Sequence, residues 1–405
     1  MTIAVIGGGA SGMACALQAA WKGATVTMFE RNPLLGRKLL VTGSGRCNIT
    51  NDSVSAEKYT CADQVWMETM LGCFGVRDLL GMLREIGIPV YKTSDGWYYP
   101  LSESAQTVVD SFSSALNLAG VTLRTATRVT SIQPGAGGFV VGFAGDAGDK
   151  SESFSQVVLA AGGKAYPALG SRGELFAVAR QMGHAMIPKR PALAPVLADL
   201  GELNPLQGLR LDAGVTLWDG NKCLASSSGN LIFTQWGLNG PAVMNVSHHI
   251  SALPKSKLVL SLDLLSFYHA EFKDLLKRKR KTPTPLAVLL GAFFPPRVAA
   301  LYVRLVHLPD RILLNQLEDS TLERLVDKLR DTRLVVKGVR GFEYCQVSAG
   351  GVPVGEVHPQ TMASRLVNGL YLTGETLDVV GPCGGYNLHF AFSSGALAGL
   401  AAASK

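Results

Sequence analysis

No two of the seven cysteines are spaced as C-x-x-C, and their number is odd. That argues against a disulfide framework and against a zinc site, and suits a reducing compartment. The seven histidines likewise show no metal-ligand spacing, so no metal is expected. No apolar run reaches the ~18 residues of a membrane span. The best candidate, 286–294, is stopped by Pro295-Pro296. A basic stretch before the first apolar run is missing too, so a signal peptide is not indicated and a cytoplasmic location is the default expectation. No internal repeat is visible, and charge is sparse. At 17% charged and 47% hydrophobic residues, the chain has a globular profile rather than a disordered one.

A length of 405 residues is too much for one ordinary core, so two or three domains are expected. The 45 glycines cluster in short motifs, which suggests backbone approaching a ligand. A net charge of +7 and a pI near 9.0 suit an anionic ligand, a phosphate-bearing cofactor or nucleic acid. The visible clustering lies in one run, Lys273 to Lys281, which reads as a solvated helix face. Composition alone does not call for RNA.

The opening reads strand, tight turn, helix, strand: Thr2 to Ile6, then Ser11 to Trp21, then Ala24 to Phe29. Another apolar run, Val157 to Ala161, ends at Gly162-Gly163, and GLYLT (Gly369 to Thr373) precedes a Gly-rich turn and a small-residue helix from about Leu388 to Ala402. The two ends share a texture that the middle lacks. Residues 189–264 alternate like strands, 265–333 turn helical, and 334–346 return to the β region. The expected fold is α/β: a Rossmann-type domain made of 1–188 and 347–405, interrupted by the middle. Within the helical part, Ser320 and Glu323 are spaced as a capping box ahead of Leu322, Leu325, Val326 and Leu329.

Gly7, Gly9 and Gly12 form G-x-G-x-x-G around Ala10 and Ser11, between a strand and a helix, and Glu30 ends the second strand beside Arg31. Gly7 permits the tight turn, Gly9 lets a pyrophosphate reach the backbone, and Gly12 allows close helix–strand packing. The helix N-terminus then favours anionic phosphates, and Glu30 can accept hydrogen bonds from a ribose. A plain NAD domain needs no matching device at the far end of the chain, whereas FAD, being longer, does. Gly374-Glu375 after an apolar strand suits a ribityl contact, and the turn carrying Gly384, Gly385, Tyr386 and Asn387 opens the last helix toward the flavin. A third block, Gly36 to Asn51, offers Gly36, Arg37 and Lys38 against pyrophosphate charge and Thr42, Gly43, Arg46, Cys47 and Asn48 near the flavin. Ala161 and Gly162 end the middle strand of the same set. Only one convincing dinucleotide fingerprint is present, so NAD(P)H, if used, would bind transiently.

IGGGASGMACA, GRKLLVTGSGRCNITN, VVLAAGGKAYPALGS, LIFTQWGLNGPAVM and GLYLTGETLDVVGPCGGYNLHFAFSSG together resemble the BaiN / YhiN (aminoacetone-oxidase-like) family of FAD flavoproteins. The resemblance spans nearly the whole chain. It implies an FAD domain of the two-dinucleotide-binding flavoprotein type, with an inserted β-barrel-like and helical region, and a backbone contact from Val129 to adenine. Departures fall at Gln235, Asn239, Leu175 and Trp97, positions expected to border substrate. The resemblance admits reductases of unsaturated ketone-type substrates and amine oxidases alike.

A flavin enzyme moves a hydride through N5, and the protein must polarise the substrate. Arg46 and Tyr386 are the candidate catalytic residues, with Thr234, Gln235 and Tyr166 behind them. The leading expectation is an FAD-dependent oxidoreductase, an NAD(P)H-using reductase of a small unsaturated or carbonyl-type substrate. An oxygen-using amine oxidase and an RNA-modifying flavoprotein are the alternatives. Cys47 and Cys383 are expected to be small buried thiols and His389 a packed helix-end histidine.

Overall fold

Four short apolar runs and one flanking strand assemble the central sheet of the computed structural model, which describes residues 1–145 and 148–404. Its order is Leu370–Leu372, Gln156–Leu159, Thr2–Ile6, Thr25–Phe29, Thr122–Arg124, and every pairing is parallel. Covered on both faces, these strands show runs of buried residues instead of alternation. From Thr2–Ile6 the chain moves one way to Thr25–Phe29 and later returns on the other side to Gln156–Leu159. The strand order therefore reverses at the first strand, and the crevice beyond the strand C-termini there is where open α/β sheets take ligands.

Contact clustering divides the chain into two units, Met1–Arg190 with Gln346–Lys405, and Pro191–Cys345. In the first, helix Ala10–Trp21 lies against the long last helix, Tyr386–Ala403. A Cβ at Gly395 would sit 2.0 Å from Ser11 O, and one at Gly399 2.2 Å from Cys15 O, so the two backbones touch where only glycine fits. Phe392, on the same helix, stacks on Phe112 at 5.4 Å with both rings fully buried. Truncating a phenylalanine so placed costs about 3–5 kcal/mol. Two antiparallel three-stranded sheets complete this unit. One comprises Arg128–Gly135, Gly138–Gly145 and Gly148–Phe154; the other comprises Thr50–Asn51, Trp97–Pro100 and Val90–Lys92. The chain leaves through strand Ile187–Ala192 and comes back through Val347–Gly351, which pair with each other.

The second unit is a closed six-stranded barrel, in order Val196–Ala198, Gly237–Asn239, Lys222–Thr234, Arg210–Asp219, Leu258–Asp263 and Thr332–Val339. Its core joins Leu217, Phe233, Leu238 and Leu260 to Leu289, Val298 and Leu325 of the helices between 269 and 330. The β region expected before residue 264 also holds two short helices, Pro241–Met244 and Ser247–Ala252.

The capping box expected at Ser320 is not formed. The helix runs Asp319–Arg330 with Glu318 as its extended N-terminal flank, so Ser320 lies inside the first turn, its Oγ 3.5 Å from Glu318 Oε2. The apolar stripe itself holds, with Leu322, Leu325 and Leu329 buried. The basic run lies on and just beyond helix His269–Lys279, and most of it is exposed. Arg280 is the exception, donating to Leu314 O and Leu317 O and pairing with Asp319 at 2.8 Å. Among the described residues no helix is long and apolar enough to cross a membrane.

Candidate functional site

Four strand C-termini deliver the glycine motifs to one edge of the central sheet. Gly7 follows the first strand with φ +114°, and its N–H donates to Phe29 O at 2.8 Å; a Cβ there would lie 2.5 Å from Ala160 O. Gly12 is tighter still, since a Cβ would meet Gly7 O at 1.8 Å. Gly9 differs from both. It precedes the helix at φ −83°, ψ −171°, and a Cβ on it would meet no protein atom within 4 Å. Two glycines are thus demanded by packing and the third is open to whatever binds. Ala10 and Ser11 begin the helix and are buried.

Glu30 closes the neighbouring strand. Its Oε2 accepts from Gly8 N–H at 2.8 Å, and its Oε1 accepts from the backbone and side-chain amides of Asn32 at 2.8 and 2.7 Å. Those bonds fix the carboxylate at the strand end; Oε1 has both lone pairs engaged, and Oε2 keeps one for a sugar hydroxyl. Gly36 N–H donates to Gly8 O at 2.8 Å, which draws the second block against the first loop. Lys38 reaches across to Glu375 at 2.6 Å, and Glu375 Oε2 accepts from Gly163 N–H at 3.2 Å. One ion pair therefore joins the second block, the end of strand Gln156–Leu159 and the Gly374 turn. Gly374, at φ +58°, donates to Ser394 Oγ at 3.0 Å, and a Cβ there would lie 2.9 Å from Ser11 Oγ.

The second and last blocks also meet. Asn51 donates to Gly384 O at 3.1 Å, and a Cβ at Gly385 would lie 2.6 Å from Thr50 O and 2.8 Å from Asn48 Oδ1. Asn48 is buried, and its Oδ1 has no hydrogen-bond partner. Gly385, at φ +95°, turns the chain into the last helix, whose first amide N–H groups receive no side-chain cap. Within the second block Thr42 is extended while Gly43 and Ser44 are left-handed, and Cys47 N–H donates to Thr42 O at 3.1 Å. Arg46 is exposed, with its guanidinium 4.7 Å from the Tyr99 ring centre.

Burial sets the protonation states here. It pushes the thiols of Cys47 and Cys383 up to about 12, so both stay protonated. His389 is lowered to about 4 by burial and sits neutral between Thr50 Oγ1 at 2.8 Å and Ser393 Oγ at 3.3 Å, a packed helix-end histidine. Burial also raises Tyr386, which therefore keeps its phenolic proton at neutral pH.

The other expected residues are each held by neighbouring groups. Arg31 pairs with Glu174 at 2.8 Å, and Arg37 donates to Asn32 Oδ1 at 3.1 Å. Val129 is opposite Phe143 in the three-stranded sheet that follows the 124–127 turn, whose Thr127 N–H donates to Glu30 O. Ala161 and Gly162 follow the strand as placed, Gly162 at φ +72°. Asn387 braces its own turn, accepting from Gly381 N–H at 2.9 Å and donating to Gly381 O at 2.7 Å. The Tyr386 backbone carbonyl accepts from Tyr59 OH at 2.9 Å, and the two rings pack edge to face. Asn32 and Tyr99 were not singled out in the sequence, and Gly163 was read only as the end of a strand. The Glu-x-Asn spacing after a strand was the available signal for the first, because an Asn side chain two residues on can share the carboxylate's partners. Among the described residues no group of acids, histidines and cysteines could hold a metal.

Comparison with known proteins places this geometry. Residues 1–401 match the model of the HI0933-like protein Rossmann domain. The chain is 35% identical over 410 residues to a 3-dehydro-bile acid delta(4,6)-reductase of Clostridium scindens, covering 100% of this chain and 99% of that protein. It is 30% identical over 395 residues to a ribosomal RNA dihydrouridine synthase of Escherichia coli, covering 96% and 95% respectively. Among solved structures, the 3-ketosteroid delta1-dehydrogenase of Sterolibacterium denitrificans superposes with a TM-score of 0.55 at 12% identity, covering 100% of this chain and 99% of that one. At that identity the likeness is one of fold.

Proposed function

The chain belongs to the HI0933-like Rossmann-domain family, and from that premise we propose that this oxidoreductase is FAD-dependent and saturates a carbon–carbon double bond conjugated to a carbonyl in a small organic substrate. One observation carries the reading: the N-terminal fingerprint, the Gly36–Asn51 block and the Gly374–Asn387 segment converge through Lys38–Glu375 and Asn51–Gly384. The residues fit the cofactor. Gly9 leaves open space before a helix N-terminus, suited to a pyrophosphate, and the buried, unpartnered Asn48 Oδ1 awaits a donor such as the flavin ring carries. Glu30 would hold the adenosine ribose, and Glu375 the ribityl chain.

When bound, FAD supplies the hydride and takes up the electrons that recharge it. The chain's own groups do the rest. Arg46, exposed and close to the Gly43 turn, would polarise the substrate carbonyl and stabilise the negative charge that grows there after hydride addition. Tyr386, kept protonated by burial and packed edge to face on Tyr59, would supply the proton. The first amides of helix Tyr386–Ala403 take no side-chain cap and favour negative charge. With a single fingerprint in the sequence, NAD(P)H is proposed to approach transiently as reductant.

The names of both relatives support this chemistry, since a delta(4,6)-reductase and a dihydrouridine synthase each add two hydrogens across a ring double bond. A second reading, with the double bond carried in RNA, is favoured by charge: the barrel and helical unit holds five of the seven surplus positive charges. The deciding experiment is anaerobic reduction of the holoenzyme with NADH and NADPH, followed by enones, quinones, primary amines and a ribosomal RNA transcript as partners. Enone-dependent reoxidation supports the main reading. Oxygen uptake driven by a primary amine replaces it with an amine oxidase, and turnover confined to RNA, with steep salt dependence, replaces it with the second reading.

A further inference from the structure

We propose that Trp97 is a specificity-determining residue of this site: its indole forms an aromatic wall on which a flat, carbonyl-bearing ring lies, with the carbonyl directed to Arg46. The inference rests on the function proposed above and deepens it. Strand Trp97–Pro100 is central in its small sheet and is paired to Thr50–Asn51, the end of the Gly36–Asn51 block. Alternation along the strand sends Trp97 and Tyr99 to one face and Tyr98 to the other. That shared face meets both loops assigned to the flavin. A Cβ at Gly384 would lie 3.1 Å from the Trp97 indole, and a Cβ at Gly43 would lie 3.3 Å from the Tyr99 ring. The Trp97 and Tyr99 rings are themselves 6.5 Å apart, and Arg46 lies over Tyr99.

The two aromatics play different parts. Tyr99 is 2% exposed and packs the loop from beneath. Trp97 remains partly exposed, and the Asn51 side chain already holds the Gly384 carbonyl, so the indole is not the sole support of that turn. Among the described residues its Nε1–H meets no acceptor, which leaves a donor at the rim as well as an apolar face. Arg46 also makes no ion pair with a carboxylate among the described residues; its side chain makes a single long hydrogen bond, 3.4 Å to Gly43 O. An indole face and an uncompensated guanidinium side by side at a flavin loop select for planarity and for an oxygen bearing partial negative charge. A saturated product is puckered and loses the stacking, so the same wall favours its release.

The test uses FAD-loaded wild type, Trp97→Ala and Trp97→Phe. Binding of 4-hydroxybenzaldehyde, which has a flat ring and a carbonyl but no reducible alkene, is followed through the flavin absorbance. Turnover of 2-cyclohexenone is measured separately. Trp97→Ala is expected to weaken binding of the aldehyde about tenfold and raise the enone KM similarly, with kcat within about threefold and full flavin content, while Trp97→Phe restores most of the affinity. An alanine variant that binds the aldehyde like wild type overturns the inference, as does wild type that fails to bind it. Loss of flavin from Trp97→Ala also overturns it, because the indole would then be serving the Gly384 turn. Wild type that binds the aldehyde through Trp97 yet reduces no enone refutes the proposed function and leaves the wall standing.

Discussion

Replacing Gly9 with valine should separate cofactor binding from folding. A Cβ at Gly9 meets nothing within 4 Å, and φ −83°, ψ −171° is backbone that any residue adopts, so the protein itself has room for the side chain. The folded apoprotein therefore loses only the preference for glycine over a β-branched residue at a helix N-cap, about 1 kcal/mol, or roughly 2–4 °C of melting temperature. The space that the valine fills is the space assigned to the pyrophosphate. Excluding the phosphates forfeits hydrogen bonds to a charged group worth about 1.5–3 kcal/mol each. Losing two of them weakens FAD binding by roughly 10²–10⁴-fold. Gly12→Ala is the contrast, because its methyl would land 1.8 Å from Gly7 O and must push the helix off the sheet. The assay is titration of apoprotein with FAD by flavin fluorescence, alongside thermal melts of both variants. A folded Gly9→Val protein with wild-type affinity would falsify the cofactor placement, and a melting loss matching that of Gly12→Ala would refute the claim that the site is open.

His389 makes stability depend on pH. Its folded value of about 4 lies below the unfolded 6.5, so the unfolded chain binds the extra proton between those values. The stabilisation is complete above pH 6.5 and is lost as pH falls toward 4, by up to ~3 kcal/mol. Denaturant melts at pH 7 and 4.5 should show a steeper loss for wild type than for His389→Gln; equal losses would count against it. The cysteines give a third check. Cys73 and Cys223 are exposed, whereas Cys15, Cys47 and Cys345 are buried and the Cys383 thiol is held protonated. Iodoacetamide at pH 8 should modify the exposed pair in native protein and spare Cys15, Cys47 and Cys383 until denaturant is added. Fast native modification of Cys47 or Cys383 would point to a redox thiol instead.

The parts legible in the sequence were those that chemistry makes local. A strand, three glycines and a helix are contiguous, so the strand–helix–strand unit carrying Gly7, Gly9, Gly12 and Glu30 could be drawn without coordinates, and the apolar stripe of Leu322, Leu325 and Leu329 announced its helix. Packing between distant segments was less visible. Nothing near Lys38 in the chain names Glu375 as its partner, and nothing near Gly384 names Trp97 as its neighbour. Ser320 shows how a correct motif can be misplaced: the helix begins two residues earlier than the Ser-x-x-Glu spacing suggests, so the serine that looked like a cap is already inside it. Asn387 was selected for its setting, but its amide is spent on its own turn. The sheet formed by 128–145 and 148–154 gave weak signals because its strands are glycine-rich and half exposed.

The paired strands Ile187–Ala192 and Val347–Gly351 make departure and return neighbours. To the nucleotide-binding half, everything from Pro191 to Cys345 is one tether with both ends knotted at the same spot. Lengthening such a tether costs only about 0.6 kcal/mol per doubling. Descendants of this architecture can therefore swap or enlarge the excursion while the redox machinery stays intact, so that one coenzyme cradle serves many different clients.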